Sequence, residues 1–130
     1  MKSGTKIAFA IVAGMGLGAA AVQVLHAQDK AKPQVIQISE IDVSNTDAYL
    51  KEYAPKTQAN IKKAGGRFLA AGGKVTSFEG QPAKGRVAVI VWDSAEKYQA
   101  YRDSKDNKDM RKIGDKYAKF RIYTVEALAK

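Results

Sequence analysis

The stretch Gly85–Asp93, reading GRVAVIVWD, decides the fold. From Val87 to Trp92 it carries no charge, and its β-branched residues fit a pleated backbone better than a helix. An apolar run this short is no surface helix, and as a strand it has no wet face. Val87, Val89 and Val91 point one way, and Ala88, Ile90 and Trp92 the other. Both faces therefore need cover. The chain's own helices supply one layer; so small a domain is short of material for another, so a second subunit is the expected cover.

Upstream, Val35–Val43 reads as a strand with Ile36 and Ile38 on one side and Ile41 and Val43 on the other, interrupted by Glu40 and Asp42. Ser44 is placed to cap a helix, with Asp47 at the third helical position. Tyr49, Tyr53, Thr57, Ile61 and Ala64 then recur every three or four residues, which makes Asn45–Ala64 an amphipathic helix. Pro55 is expected to bend it, and Gly65-Gly66 to stop it. Arg67–Ala71 and Lys74–Glu79 read as two halves of one strand, bulged at Gly72-Gly73, or as two short strands.

Downstream, Asp93 and Glu96 mark the start of a helix running to about Arg102, with Ala95, Tyr98 and Tyr101 on neighbouring positions. A weaker helix near Asn107–Ile113 is anchored by Met110 and Ile113. In the last strand, within Tyr117–Leu128, Phe120, Ile122 and Thr124 alternate with Arg121, Tyr123 and Val125. The order strand, helix, strand, strand, helix, strand is that of a ferredoxin-like α+β domain, whose helices cover one sheet face. The other face brings back the valine run. Leaving such side chains wet forgoes about 1.5–3 kcal/mol apiece, so pairing through the open sheet face is expected to make a homodimer.

The amino end reads differently. Lys2 and Lys6 precede Ile7–Val24, apolar except for Gly14, Gly16, Gly18 and Gln23. A basic start, apolar middle and small-residue end have the form of a secretory signal peptide, with an uncleaved membrane anchor as the alternative because the run approaches the length that spans a bilayer. The expected organisation is a leader at 1–27, a solvated lead-in at 28–34 and the domain at 35–128. This implies a periplasmic or secreted protein with no stable membrane insertion after cleavage. His26 falls in the leader, so the mature part has neither histidine nor cysteine. That inventory removes disulfides, thiolate metal sites, Cys nucleophiles, imidazole bases and histidine-ligated haem. No cofactor and no metal site is expected.

Glu40, Tyr49, the run AGGRFLAAGGKV at Ala64–Val75, Glu79-Gly80, the strand RVAVIVWDS and the tail RKIGDKYAKFRIYTVE together resemble the domain-of-unknown-function family 1330, within the dimeric α/β-barrel superfamily, and its exported bacterial members in particular. The likeness runs over about Val35–Leu128. It implies a ferredoxin-like β-α-β-β-α-β protomer forming a dimeric α/β barrel, with no established common reaction. Other branches of that superfamily can use a pocket histidine for haem or quinone chemistry, and the expected mature part has no histidine.

The ligand-binding candidates are Glu40, Asp42, Tyr53, Arg67, Trp92 and Tyr98. A carboxylate within an apolar strand needs a partner, and Arg67 is an available cation for Glu40; the pair is a structural contact or an anion clamp. Tyr49, Tyr53, Tyr98, Tyr101 and Trp92 pack the core or line a pocket between helices and sheet. The basic tail, with Lys108, Arg111, Lys112, Lys116 and Lys119, is interrupted by Asp106, Asp109 and Asp115 and reads as a solvated face without specific nucleic-acid recognition. Gly72-Gly73 lacks the spacing and terminal Lys-Ser/Thr of a phosphate loop. The leading expectation is an exported homodimeric domain that binds a small organic ligand or serves an accessory role. The alternatives are a cofactor-independent monooxygenase or isomerase acting on a small aromatic compound, and a purely structural or interaction domain.

Overall fold

A computed structural model describes residues 32–129 of the 130-residue chain. Strand β1 spans Val35–Val43. A short helix α1 (Thr46–Ala48) passes through a π-helical turn, Tyr49–Tyr53, into α2 (Ala54–Ala64). Strands β2 (Arg67–Ala71) and β3 (Arg86–Trp92), helices α3 (Ala95–Asp103) and α4 (Lys105–Gly114), and strand β4 (Ala118–Glu126) complete the order. The leader expected at 1–27 and most of the lead-in lie outside the described residues. Among the described residues no helix is long and apolar enough to cross a membrane.

The strands form one antiparallel sheet in the order β2-β3-β1-β4. The β-α-β-β-α-β sequence of elements is present, its second helical segment divided into α3 and α4. The expected closed barrel is not: β2 and β4 are edges that do not pair with each other, so the sheet is open. The physical reason is strand number, since a barrel that side chains can fill closes at about eight strands with matched tilt and stagger.

Register sorts the residues between two faces. Opposite β1, Val35 meets Trp92, Gln37 meets Ile90 and Ser39 meets Ala88, and all these point toward the helices. The alternate pairs Ile36–Val91, Ile38–Val89 and Glu40–Val87 point to the open face, where they are half-buried. On the helix side two apolar clusters form. One joins Ile41, Tyr49, Tyr53, Ala54, Met110 and Ala118; the other joins Val35, Ile61, Ile90, Trp92 and Tyr101.

Local chemistry explains where the elements start and stop, and corrects several expectations. Asn45, not Ser44, caps α1: its Oδ1 accepts from the Ala48 N–H at 3.1 Å, while Ser44 Oγ donates to the Tyr117 carbonyl. Ser94, not Asp93, caps α3 by accepting from the Lys97 N–H at 3.2 Å. Pro55 does not bend a continuous α-helix. It sits in the first turn of α2, where a missing N–H costs nothing, and the π turn before it absorbs the change in winding. Gly65 ends α2 at φ 108°, a left-handed conformation that favours glycine.

The bulge expected at Gly72-Gly73 falls instead at Leu69, where the β2–β3 register shifts between Phe68 and Ala70. Gly72, at φ 79°, ends the ladder, its N–H donating to the Val87 carbonyl at 3.1 Å. Lys74–Glu79 is therefore not a strand. It belongs to the connection to β3, tied by the Ala83 N–H to Ser77 Oγ at 2.9 Å, and it leaves Phe78 90% exposed.

Candidate functional site

Between the two apolar clusters, against the sheet, lies a chamber of about 50 Å³. On the measure by which one water needs ~10–15 Å³, it holds a small group of atoms rather than a single water. Its floor is built by the strand period: Gln37 and Ser39 on β1 occupy the same face as Val35 and Ile41, so two polar side chains are carried into the interior. Its roof is built by the helical period, which stacks Tyr49, Tyr53, Thr57 and Ile61 over the sheet. Tyr101 on α3, Asn107 and Arg111 on α4, and Arg86 on β3 complete the polar part of the wall.

Buried polar groups demand partners, and most of these have them. The Trp92 indole N–H donates to Gln37 Oε1 at 2.9 Å, and Gln37 Nε2 donates to Ser39 Oγ at 2.9 Å. Asn107 Nδ2 donates to the Arg102 carbonyl at 3.0 Å. The guanidinium of Arg86 lies 5.2 Å from the Tyr49 ring centre and that of Arg111 lies 4.4 Å from the Phe120 ring centre. Gly72 makes room for Arg86, since a Cβ there would collide with its guanidinium. Gly114 does the same for Tyr53, whose ring a Cβ would meet at 2.5–3.0 Å.

Among the described residues two buried side-chain atoms, Thr57 Oγ1 and Arg111 Nε, complete no hydrogen bond. The Thr57 hydroxyl bears on the Tyr53 and Tyr101 phenols but completes no hydrogen bond of ordinary geometry. Burial raises the pKa of Tyr49, Tyr53 and Tyr101, with nearby arginines acting in the opposite sense. At neutral pH these phenols are therefore protonated donors, not bases.

The sequence candidates scatter. Tyr53 lines the chamber, 5.2 Å from Tyr49 and 5.6 Å from Phe120 between ring centres. Trp92 is fully buried behind it, reaching the chamber through Gln37, and Tyr98 packs edge-on against Trp92 at 5.5 Å. Glu40 lies on the opposite face of the sheet, where Arg121 donates to it at 2.6 Å and the Tyr123 hydroxyl at 3.0 Å. The expected Glu40–Arg67 pair does not form, because Arg67 binds Asp93 at 2.9 Å. Asp42 is exposed and 3.7 Å from Lys84. Sequence reasoning missed Gln37, Ser39, Asn107, Arg86 and Arg102, and it read Arg111, which lines the chamber, as part of a solvated face. The signal for the first two was present, since they keep step with Val35 and Ile41 along β1.

The comparisons agree with this architecture. The family model described as a domain of unknown function, DUF1330, matches residues 34–128, and the chain belongs to that family. No curated protein sequence matches the chain. A crystal structure of a protein of unknown function from Rhodopseudomonas palustris is similar at 12% identity with a TM-score of 0.62, covering 82% of this chain and 93% of that one. The methylated form of that protein gives the same score over 91% of its length. A conserved protein from Bacteroides thetaiotaomicron, described as a possible oxidoreductase, is similar at 17% identity with a TM-score of 0.50, covering 75% of this chain and all of that one. These likenesses concern the fold alone.

Proposed function

For a DUF1330 domain built in this way, we propose that the chamber between sheet and helices binds a small organic molecule, and that the working unit is a pair of subunits associated through their open sheet faces. The observation that carries the binding reading is the combination of a largely apolar cavity carrying a few polar side chains with two buried groups on its lining residues, the Thr57 hydroxyl and the Arg111 Nε–H, that complete no hydrogen bond of ordinary geometry. A buried unsatisfied group costs about 1–3 kcal/mol, which a ligand placed against it recovers.

The pairing reading rests on the valine face. Ile36, Ile38, Val87, Val89 and Val91 are half-buried there, and Tyr123 and Val125 are exposed beside them. Three ion pairs, Glu40–Arg121, Asp42–Lys84 and Arg67–Asp93, already form around the stripe, so those six charges do not meet a second copy unpaired. A twofold axis lets the same patch serve both subunits.

Binding is favoured over cofactor-independent turnover by the lining itself. It holds no carboxylate and no imidazole, its phenols are held protonated by burial, and Glu40 lies across the sheet. The test is a ligand-observed NMR screen of small organic compounds against the parent and Thr57→Leu. Loss of the hits on filling the chamber supports the reading; hits that persist undiminished, or a screen that gives none, contradict it.

A further inference from the structure

We propose that the ligand of this chamber is a small organic carboxylate, its anionic end held by Arg111 and its body lying against the apolar wall. This rests on the binding reading above and specifies the ligand's chemistry. Three arginines, Arg86, Arg102 and Arg111, are among the residues that line the chamber, and no Asp or Glu lines it. Like charges drawn into a half-buried space repel one another more strongly than they do in water, and an anion between them removes that cost.

Of these three arginines only Arg111 has an ion-pair partner among the described residues. Arg111 binds Asp115 at 3.0 Å through a terminal nitrogen, but that carboxylate lies outside the lining and is 59% exposed. No ion pair among the described residues engages Arg86 or Arg102. The Arg111 Nε–H and the Thr57 hydroxyl are buried without completing a hydrogen bond of ordinary geometry, and both belong to residues that line the chamber. Guanidinium and hydroxyl donors on a lining that carries no acidic side chain suit an oxyanion.

Size and wall chemistry narrow the anion. Ile41, Ile61 and Ile90, with the rings of Tyr49 and Tyr53, make up much of the remaining surface, and the chamber holds only about 50 Å³. Two open donors satisfy a monoanionic carboxylate, whereas a phosphate dianion brings more acceptor sites than they can fill. Hydrocarbon against the isoleucines and rings supplies the rest of the affinity.

The experiment titrates the full domain with two matched pairs, butyrate against butyramide and benzoate against benzamide, and with inorganic phosphate. Arginine Nε resonances are followed by NMR. The expected result is that the carboxylate binds at least about tenfold more tightly than its amide and shifts the Arg111 Nε signal. In Arg111→Gln the ratio falls toward one, and Arg111→Lys keeps part of it. If Arg111→Gln fails to fold, Arg86→Gln provides the same comparison, with the ratio reduced. Amides that bind as tightly as carboxylates, or phosphate binding while carboxylates are silent, overturn the carboxylate assignment and leave the chamber a binding site. Silence of every probe overturns the binding reading as well.

Discussion

The indole N–H of Trp92, at the fully buried end of β3, donates across 2.9 Å to Oε1 of Gln37 in the middle of β1. This bond joins the apolar cluster around Trp92 to the polar floor of the chamber, and Gln37 passes it on to Ser39. Gln37→Leu removes the acceptor while leaving the donor buried. The expected loss is about 1–3 kcal/mol of folding stability, read by urea denaturation, with a changed Trp92 emission spectrum. An unchanged denaturation midpoint would show that the indole has another partner.

Gly114 sits against the ring of Tyr53, so a methyl group there must displace one of them. Gly114→Ala gains helix propensity but is expected to lose about 1–3 kcal/mol net through overpacking, and to weaken any ligand that touches Tyr53. Calorimetric melting of the two proteins decides it. A variant as stable as the parent would mean that the ring has free space on its other side.

Burial raises the pKa of Tyr49, Tyr53, Tyr98 and Tyr101 above the ordinary value of 10.0. A folded-state pKa above the unfolded value means that the contribution is fully present below pH 10 and is lost as pH rises through the folded pKa. Stability should therefore fall in alkaline solution, and ultraviolet titration should show these phenols ionising later than free tyrosine. Phenols that all titrate together near pH 10 would contradict their burial.

Val89 faces the open side of the sheet, half-buried between Ile38 of β1 and Ala70 of β2. Val89→Asp should dissociate the pair of subunits while each keeps its fold, because the carboxylate reaches water in a lone subunit and is trapped in a paired one. Sedimentation velocity with circular dichroism separates the two effects. A variant that still sediments as a pair would remove this face from the interface.

Much of the fold was legible because side-chain period is a strong signal. The alternation in Arg86–Trp92 and the spacing of Tyr49, Tyr53, Thr57 and Ile61 mark which residues face the helices and which the sheet. Glycine chemistry marks the end of α2 at Gly65. Pairing was not legible, because register is a long-range property. Nothing local to Glu40 says that Arg121 lies opposite it while Arg67 goes to Asp93. Adjacent capable residues, Ser44 with Asn45 and Asp93 with Ser94, left the caps undetermined by composition. The valine strand correctly implied an uncovered face, but closure into a barrel depends on strand number, and the four strands stay open. Of the candidate site, the tyrosine wall followed from helical spacing, whereas Gln37 and Ser39 resemble solvent-facing residues until their shared phase with Ile41 is noticed.

The central claim is that the chamber on the helix side of the sheet is where this domain takes its ligand. Its most direct test follows the side-chain amide signals of Gln37 and Asn107, together with the backbone signal of Thr57, as small organic acids are titrated into the labelled protein. The account predicts saturable shifts at all three, and none at Ile36 or Val89 on the other face of the sheet. Shifts confined to the valine face, with the two amides unmoved at saturation, would contradict it.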